Sequence, residues 1–419
     1  MKWLAFLPSQ QKAKVAAGSI SHRLRLSTME TQRKKLAKVS VNSLPDDLMV
    51  EILKRFPVKT LIRFLSVSKL WSSIIRSPYF MKLFVNESLK RPKSLVFVFK
   101  VSSFSLTSAS VHFKSTREVL SSSSSFASPA TYHVTCHTRQ RTTIAPSVHG
   151  LICYGPPSSL VIYNPCTRRS VTLPSVSAGK RATNQYLGYD PIDSVYKVLC
   201  IVRRMPMLRN RRGLAGEIMV LTLESSGSSA WRMFQGTIPP HSPLSEQLCI
   251  NGVLYYQAFT GTKLNECAIM SFDVRSEKID LIKGPCSNFR SFSKLTTYEG
   301  KLAVIFFEKK ISGIIGLWVL EDASKEDWSK KTFALPKLVA SKTNPISDRF
   351  YEFRTTDADT GEIIFTPTLL HSSVPSVLYY DLKKDSMRTF EVEGRRTEQY
   401  IRCHSDSVSS AQVENLMFL

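Results

Sequence analysis

Three clusters in this 419-residue chain bring together side chains that could do chemistry. His133-Val134-Thr135-Cys136-His137 collects three groups of the kind that ligate zinc. In an extended strand His133 and His137 face one side and Cys136 the other, so this spacing does not close a tetrahedral site. Asp357-Ala358-Asp359-Thr360-Gly361-Glu362 has the oxygen content of a calcium loop but not the spacing of a full oxygen shell. Its place between Phe353 and Ile363-Ile364-Phe365 predicts a hairpin turn instead. Arg203, Arg204, Arg209, Arg211 and Arg212 crowd one predicted loop with no acid between them. Guanidinium forks bind phosphate and carboxylate bidentately, so these five arginines are candidate substrate-binding residues for an acidic or phosphorylated segment. A solvated loop with no specific partner is the alternative. No phosphate-binding glycine loop, GxSxG elbow or HExxH motif occurs, and no acid, base and nucleophile converge. No catalytic residue, metal site or cofactor is therefore expected.

The elements that must position these residues belong to a globular protein. Hydrophobic residues make up 43% and charged ones 21% of the chain. No apolar run reaches the roughly 20 residues a membrane helix needs. The eight cysteines are scattered without a CxxC pair, which predicts reduced thiols. With no convincing signal peptide, the expected location is nucleus, cytoplasm or both. The net charge of +24 is unevenly placed. Residues 1–40 carry nine Lys and Arg against the lone acid Glu30, and residues 89–189 carry twelve against the lone acid Glu118. Such a field attracts nucleic acid, acidic proteins or phosphorylated segments, or simply keeps the chain soluble. Residues 1–40 are expected to be a disordered basic tail, and residues 401–419 a C-terminal tail.

From Leu44 the pattern is helical. Pro45 suits a first helical turn, with Asp46, Asp47 and Glu51 complementing the positive end of the dipole. Leu48, Ile52, Leu53 and Phe56 form an apolar stripe that Pro57 ends. A second helical stretch runs from Val58 through Leu61, Val67, Trp71 and Ile75 to Pro78, and Phe80, Leu83 and Phe84 predict a third helix. Three short helices cannot bury all these side chains against one another. Leu44, Pro45, Leu48 and Trp71 therefore suit burial against another protein, unless the helices cap the core of the domain that follows.

Beyond Arg91-Pro92 short β-rich runs alternate with turn residues for three hundred residues, which predicts a large all-β domain over 91–400. Tyr163-Asn164, Tyr189-Asp190, Phe272-Asp273 and Tyr380-Asp381 repeat an aromatic before a turn-forming Asx. Leu223-Glu224 precedes Trp231 just as Leu320-Glu321 precedes Trp328, and Gly150, Gly252 and Gly300 each precede an apolar strand. The pitch of about 50 residues fits a kelch-like β-propeller of about six blades, with a pair of β-sandwiches as the alternative.

The segment LPDDLMVEILKRFPVKTLIRFLSVSKLWSSIIRSPYFMKLF resembles the F-box. Its Leu-Pro start, Ile-Leu pair, Phe-Pro-Val step and Val-x-Lys-x-Trp run fall on Leu44, Pro45, Leu48, Ile52, Leu53, Phe56, Pro57, Val58, Leu61, Val67, Lys69, Trp71 and Ile75. Ser66, often Cys in the family, is a small departure. The pieces GLICYG, VIYNPCTRRSVTLP, YLGYDPIDSVYKVL, INGVLYYQAF, SFDVRSEKIDLI and TFALP are similar to motifs of the F-box-associated domain of plant F-box proteins. The resemblance implies an F-box over 41–90 that docks those thirteen residues onto a Skp-type adaptor and, through it, cullin and RING subunits. It implies a non-catalytic receptor of an SCF (Skp–cullin–F-box) ubiquitin ligase, with an unknown protein substrate bound by the β domain. The competing classes are a basic nucleic-acid binder and a propeller enzyme.

Overall fold

The computed structural model describes residues 45–91, 94–102, 109–116, 130–133, 146–179, 181–204, 213–223, 230–285, 293–309, 314–335, 351–357, 360–367, 369–370, 376–391 and 403–417. The basic tail at 1–40, Leu44, the motif after His133, and Arg209, Arg211 and Arg212 lie outside the described residues. Two compact units divide the chain, one ending at Arg55 and the other beginning at Phe56.

The first unit contributes helix α1 (Asp46–Leu53), which starts directly after Pro45 and carries Asp46 and Asp47 in its first turn. The second unit opens with α2 (Val58–Phe64), α3 (Lys69–Arg76) and α4 (Pro78–Ser88). Four helices thus stand where three were expected. The extra break lies at Ser68, whose extended backbone leaves the helical region and whose Oγ accepts from Trp71 N at 3.1 Å, capping α3. Ser77 repeats the device for α4, accepting from Phe80 N at 3.1 Å ahead of Pro78.

The rest of the second unit is a set of antiparallel sheets. Strands β1 (Ser94–Ser102), β2 (Ala109–Thr116) and β3 (Ala130–His133) form one with two strands from far along the chain, as described below. A three-stranded sheet follows from β4 (Ile152–Tyr154), β5 (Val161–Asn164) and β6 (Arg169–Thr172). The next is β7 (Thr183–Asp190), β8 (Val195–Arg203), β9 (Ala215–Leu223) and β10 (Arg232–Met233). Then come β11 (Ser242–Ile250), β12 (Val253–Thr260), β13 (Glu266–Asp273) and β14 (Ile279–Lys283). They are followed by β15 (Lys294–Tyr298), β16 (Lys301–Lys309), β17 (Ile314–Asp322) and β18 (Asp327–Ala334). The last sheet joins β19 (Tyr351–Thr356), β20 (Ile363–Pro367), β22 (Ser376–Asp381) and β23 (Ser386–Glu391). Between its members runs β21 (Leu369–Leu370), which pairs instead with β24 (Cys403–Gln412), and β24 pairs with β1. The described strands therefore make five sheets of four or five strands and one of three.

The strands β4, β7, β11, β15, β19 and β24 adjoin in that order, so the sheets stand around a common axis as the blades of a β-propeller. Apolar residues fill the gaps between neighbouring sheets. Tyr186, Leu199, Ile201, Tyr256 and Phe272 are all buried in one such layer, and Ala303, Leu317, Phe353, Phe365 and Leu378 in another. Side chains also bolt sheet to sheet near the axis. Leu187 N donates to Gln247 Oε1 at 3.1 Å, Gln257 Nε2 donates to Ser293 O at 3.3 Å, and Thr296 and Thr356 share a hydroxyl hydrogen bond of 2.7 Å. Trp231 Nε1 donates to Pro174 O at 2.7 Å and Trp328 Nε1 to Lys283 O at 3.1 Å, so each of the two repeated tryptophans fastens onto the preceding sheet.

The ring closes through the last residues. Residues 401–419 were expected to be a tail, but Cys403–Gln412 is a strand between β1 and β21. Beyond it Val413, Asn415 and Leu416 are buried. Asn164 Nδ2 donates to the carbonyls of Asn415 at 3.1 Å and Met417 at 2.9 Å, and Gln412 Nε2 donates to Gly150 O at 3.1 Å. Gly150 has φ +90°, and an added Cβ would lie 2.7 Å from Val413 O, so glycine is required there on both counts.

Candidate functional site

In a meander of antiparallel strands, successive connections alternate between two edges, the first of which holds the β7–β8 hairpin. At the first edge the Asx residues act as expected. Asn164 Oδ1 accepts from Cys166 N, Asp190 Oδ1 from Ile192 N, Asp273 Oδ1 from Ser276 N and Asp381 Oδ1 from Lys383 N, at 2.6–2.9 Å. A fifth turn of this kind, at Asp322, accepts from Ser324 N at 2.9 Å; it escapes an aromatic–Asx pattern because Glu321 precedes it. In every one the residue four positions on (Arg168, Ser194, Glu277, Glu326, Asp385) has a positive φ. The Asp357–Glu362 segment is likewise a hairpin turn between β19 and β20, with Asp357 N donating to Glu362 O at 2.7 Å.

This turn edge is cross-linked between sheets by ions. Arg275 bridges Asp193 at 2.6 Å and Asp190 at 3.2 Å, and Lys383 meets Glu299 at 3.1 Å. The Arg275 hydrogen bond holds the Asp193 carboxyl below its ordinary range. Burial raises Glu277, but hydrogen bonds from Arg232 and Lys197 overcome it and keep that carboxyl below its ordinary range.

The helices of the second unit sit at the same edge. Lys82 Nζ on α4 donates to Ile192 O at 2.8 Å, within the Asp190 turn. Arg91, just past α4, pairs with Glu414 at 2.9 Å and donates to Phe56 O at 3.3 Å. The chain enters the propeller there, since Ser94 of β1 pairs with Gln412, the last residue of β24.

Of the thirteen residues expected to bind an adaptor, Leu44 lies outside the described residues and the other twelve divide by burial. Leu53, Val58, Leu61 and Ile75 are buried. On α1, Leu48 and Ile52 are one turn apart and 50% and 46% exposed. Pro45 and Lys69 are exposed, and Phe56 and Val67 are exposed at 36% and 61%. Pro57 and Trp71 are half-buried. The Trp71 ring meets Phe64 edge-on at 4.8 Å, and Phe64 meets Phe56 edge-on at 5.3 Å. Leu70 and Tyr79 also expose apolar surface, and the spacing alone gave no sign of either. Leu65, Val67, Lys69, Ser72 and Arg76 line a shallow open depression beside the start of α3.

Of the five arginines, Arg203 and Arg204 are among the described residues. Arg203 ends β8 half-buried, with its guanidinium donating to Asn184 Oδ1 at 2.6 and 2.9 Å and to Pro243 O at 2.6 Å. It ties the third and fourth sheets together. Arg204 is exposed, at the end of β8 away from the Asp190 turn.

The family model for the F-box associated beta propeller domain matches residues 94–415, and that for the F-box domain matches residues 41–83. The matched span includes β24, in keeping with a domain that runs past residue 400. A putative F-box protein of Arabidopsis thaliana is 68% identical over all of both chains. A second Arabidopsis thaliana F-box protein is 44% identical, covering 93% of this chain and all of its own length; a third is 34% identical, covering 92% of this chain and all of its own. The helices and the propeller together define a two-domain interaction protein. The chain belongs to the plant F-box proteins that carry an F-box-associated propeller domain.

Proposed function

We propose that this chain is the substrate-recognition subunit of an SCF ubiquitin ligase. The F-box binds a Skp-type adaptor and through it the cullin and RING subunits, and the propeller binds a protein substrate. The observation that carries this reading is helix α1, which leaves Leu48 and Ile52 half-exposed one turn apart while Met49 and Leu53 are buried. An apolar pair facing water on a folded helix is an unused binding surface. Pro45, Phe56, Val67, Lys69 and Trp71 complete the set of adaptor contacts. The chain supplies no chemistry of its own: by holding a substrate near a ubiquitin thioester it raises the effective concentration of substrate lysines. It works in the nucleus, the cytoplasm or both.

The test is reconstitution. Full-length protein mixed with a plant Skp-type adaptor at about 1 µM is expected to co-elute with it on size exclusion. Adding cullin, RING subunit, conjugating enzyme and ubiquitin should then give transfer to proteins captured by the propeller. Absence of the adaptor complex at that concentration overturns the proposal.

A further inference from the structure

The five Asx turns have one length, with a positive φ at the residue four positions beyond each Asx, so the residue two positions beyond it holds an equivalent place. After Asp273, Asp322 and Asp381 that residue is Arg275, Ser324 or Lys383, and after Asn164 it is the half-buried Cys166. After Asp190 it is Ile192, an aliphatic side chain that is 62% exposed. The turn does not require an aliphatic residue there. Asp190 Oδ1 accepts from Ile192 N at 2.9 Å, and any residue but proline supplies that donor. The core does not require it either, since most of the side chain lies in water. Among the described residues the propeller exposes two large apolar side chains, Ile192 and Met233.

Ile192 sits in the turn that α4 holds. Lys82 Nζ donates to Ile192 O at 2.8 Å, and Asp190 is itself paired with Arg275 at 3.2 Å. The Ile192 backbone is thus fastened through both its N–H and its C=O. Tyr79, three residues before Lys82 and so on the same face of α4, is 66% exposed. Lys82 and Asp193 are exposed polar neighbours of this apolar pair, as at the rim of an interface.

We propose that Ile192 belongs to the adaptor-binding surface: the adaptor that covers the F-box reaches past α4 and buries Ile192 of the propeller. The proposal rests on the receptor function given above and adds a contact outside the F-box, whose match ends at residue 83. Continuity with the F-box identifies the occupant. Of five equivalent turns, the one with an exposed aliphatic residue is the one tied to α4, which carries the last F-box residues. One apolar side chain cannot found an interface of its own, because association loses translational and rotational freedom. As the extension of an interface already formed it bears none of that cost, and its fixed backbone leaves little to be ordered on binding.

The experiment titrates a purified plant Skp-type adaptor into full-length wild type, Ile192→Ser, Ile192→Leu and Met233→Ser, with a thermal melt of each. Met233, on β10, is the control, an exposed apolar side chain of the propeller outside the Asx turns. Ile192→Ser is expected to weaken adaptor binding about fivefold or more. Ile192→Leu keeps the apolar surface and should bind within about twofold of wild type, as should Met233→Ser. All four proteins should melt alike, because both positions are exposed. Binding of Ile192→Ser within about twofold of wild type, or equal weakening by Met233→Ser, would overturn the proposal and leave the receptor function standing. Failure of the wild type to bind the adaptor would overturn both. Light scattering checks the other occupant: a wild-type dimer that Ile192→Ser dissociates would assign the side chain to a second copy of the chain and overturn the proposal.

Discussion

Replacing Leu48 and Ile52 together with alanine separates binding from folding. Full burial of a leucine or isoleucine side chain is worth about 1.5–3 kcal/mol. Leu48 and Ile52 are 50% and 46% exposed, so roughly half of that gain is still unrealised in the free protein. An adaptor that covers both would gain about 1 kcal/mol from each, and losing about 2 kcal/mol raises Kd about thirtyfold. Alanine has the highest helix propensity, so α1 itself should persist. The control is Leu61→Ala, at a position with no exposure, where a cavity should cost about 2–5 kcal/mol of stability. Isothermal titration against the purified adaptor, with thermal unfolding followed by circular dichroism, reads both effects. The double variant should bind about thirtyfold more weakly and melt only slightly lower, whereas Leu61→Ala should lose most of its effect in the melt. If the double variant binds within about threefold of wild type, α1 does not present its apolar pair to the adaptor.

Three further predictions concern the propeller. Gly150→Ala forces a side chain onto a left-handed backbone and against Val413 O, so urea unfolding should show a loss of about 2 kcal/mol or more. His241 is buried, with Nε2 3.1 Å from the Tyr256 hydroxyl and Nδ1 2.7 Å from Pro239 O, and burial lowers its pKa. The stability it contributes is complete above the unfolded value near pH 6.5 and falls as pH drops below it, because the unfolded chain takes up a proton that the folded chain refuses. His241→Asn should remove up to about 1.4 kcal/mol per pH unit from the slope of unfolding free energy between pH 6.5 and 5.5. Burial also pushes the Cys153 thiol well up and the Cys200 thiol up to about 12, so neither should be alkylated by iodoacetamide at pH 8 until the protein is denatured, as mass spectrometry of the labelled peptides can show.

Much of this architecture is local and was legible in the chain. Proline at the starts of α1, α2 and α4, and the short continuous apolar runs of β8 and β13, are imposed by neighbours a few residues away. The Asx turns are local too, since each carboxyl or amide bonds backbone two or three residues on. Even the break at Ser68 was written locally, as a serine able to cap the helix that follows it.

What the sequence could not decide depends on residues brought together from far apart. Cys403–Gln412 has the composition of a polar tail; it is a strand only because β1 and β21 offer their backbone groups on either side. Arg203 looks like its neighbour Arg204, yet one is fastened to Asn184 and Pro243 across a sheet boundary and the other faces water. Of the thirteen F-box positions, helical spacing could not tell the buried Leu53 from the half-exposed Ile52 beside it. The charge of the chain shows the same limit. Its total is fixed by composition, but which charges share an edge follows from the alternating direction of antiparallel strands, and that order exists only once the ring is built.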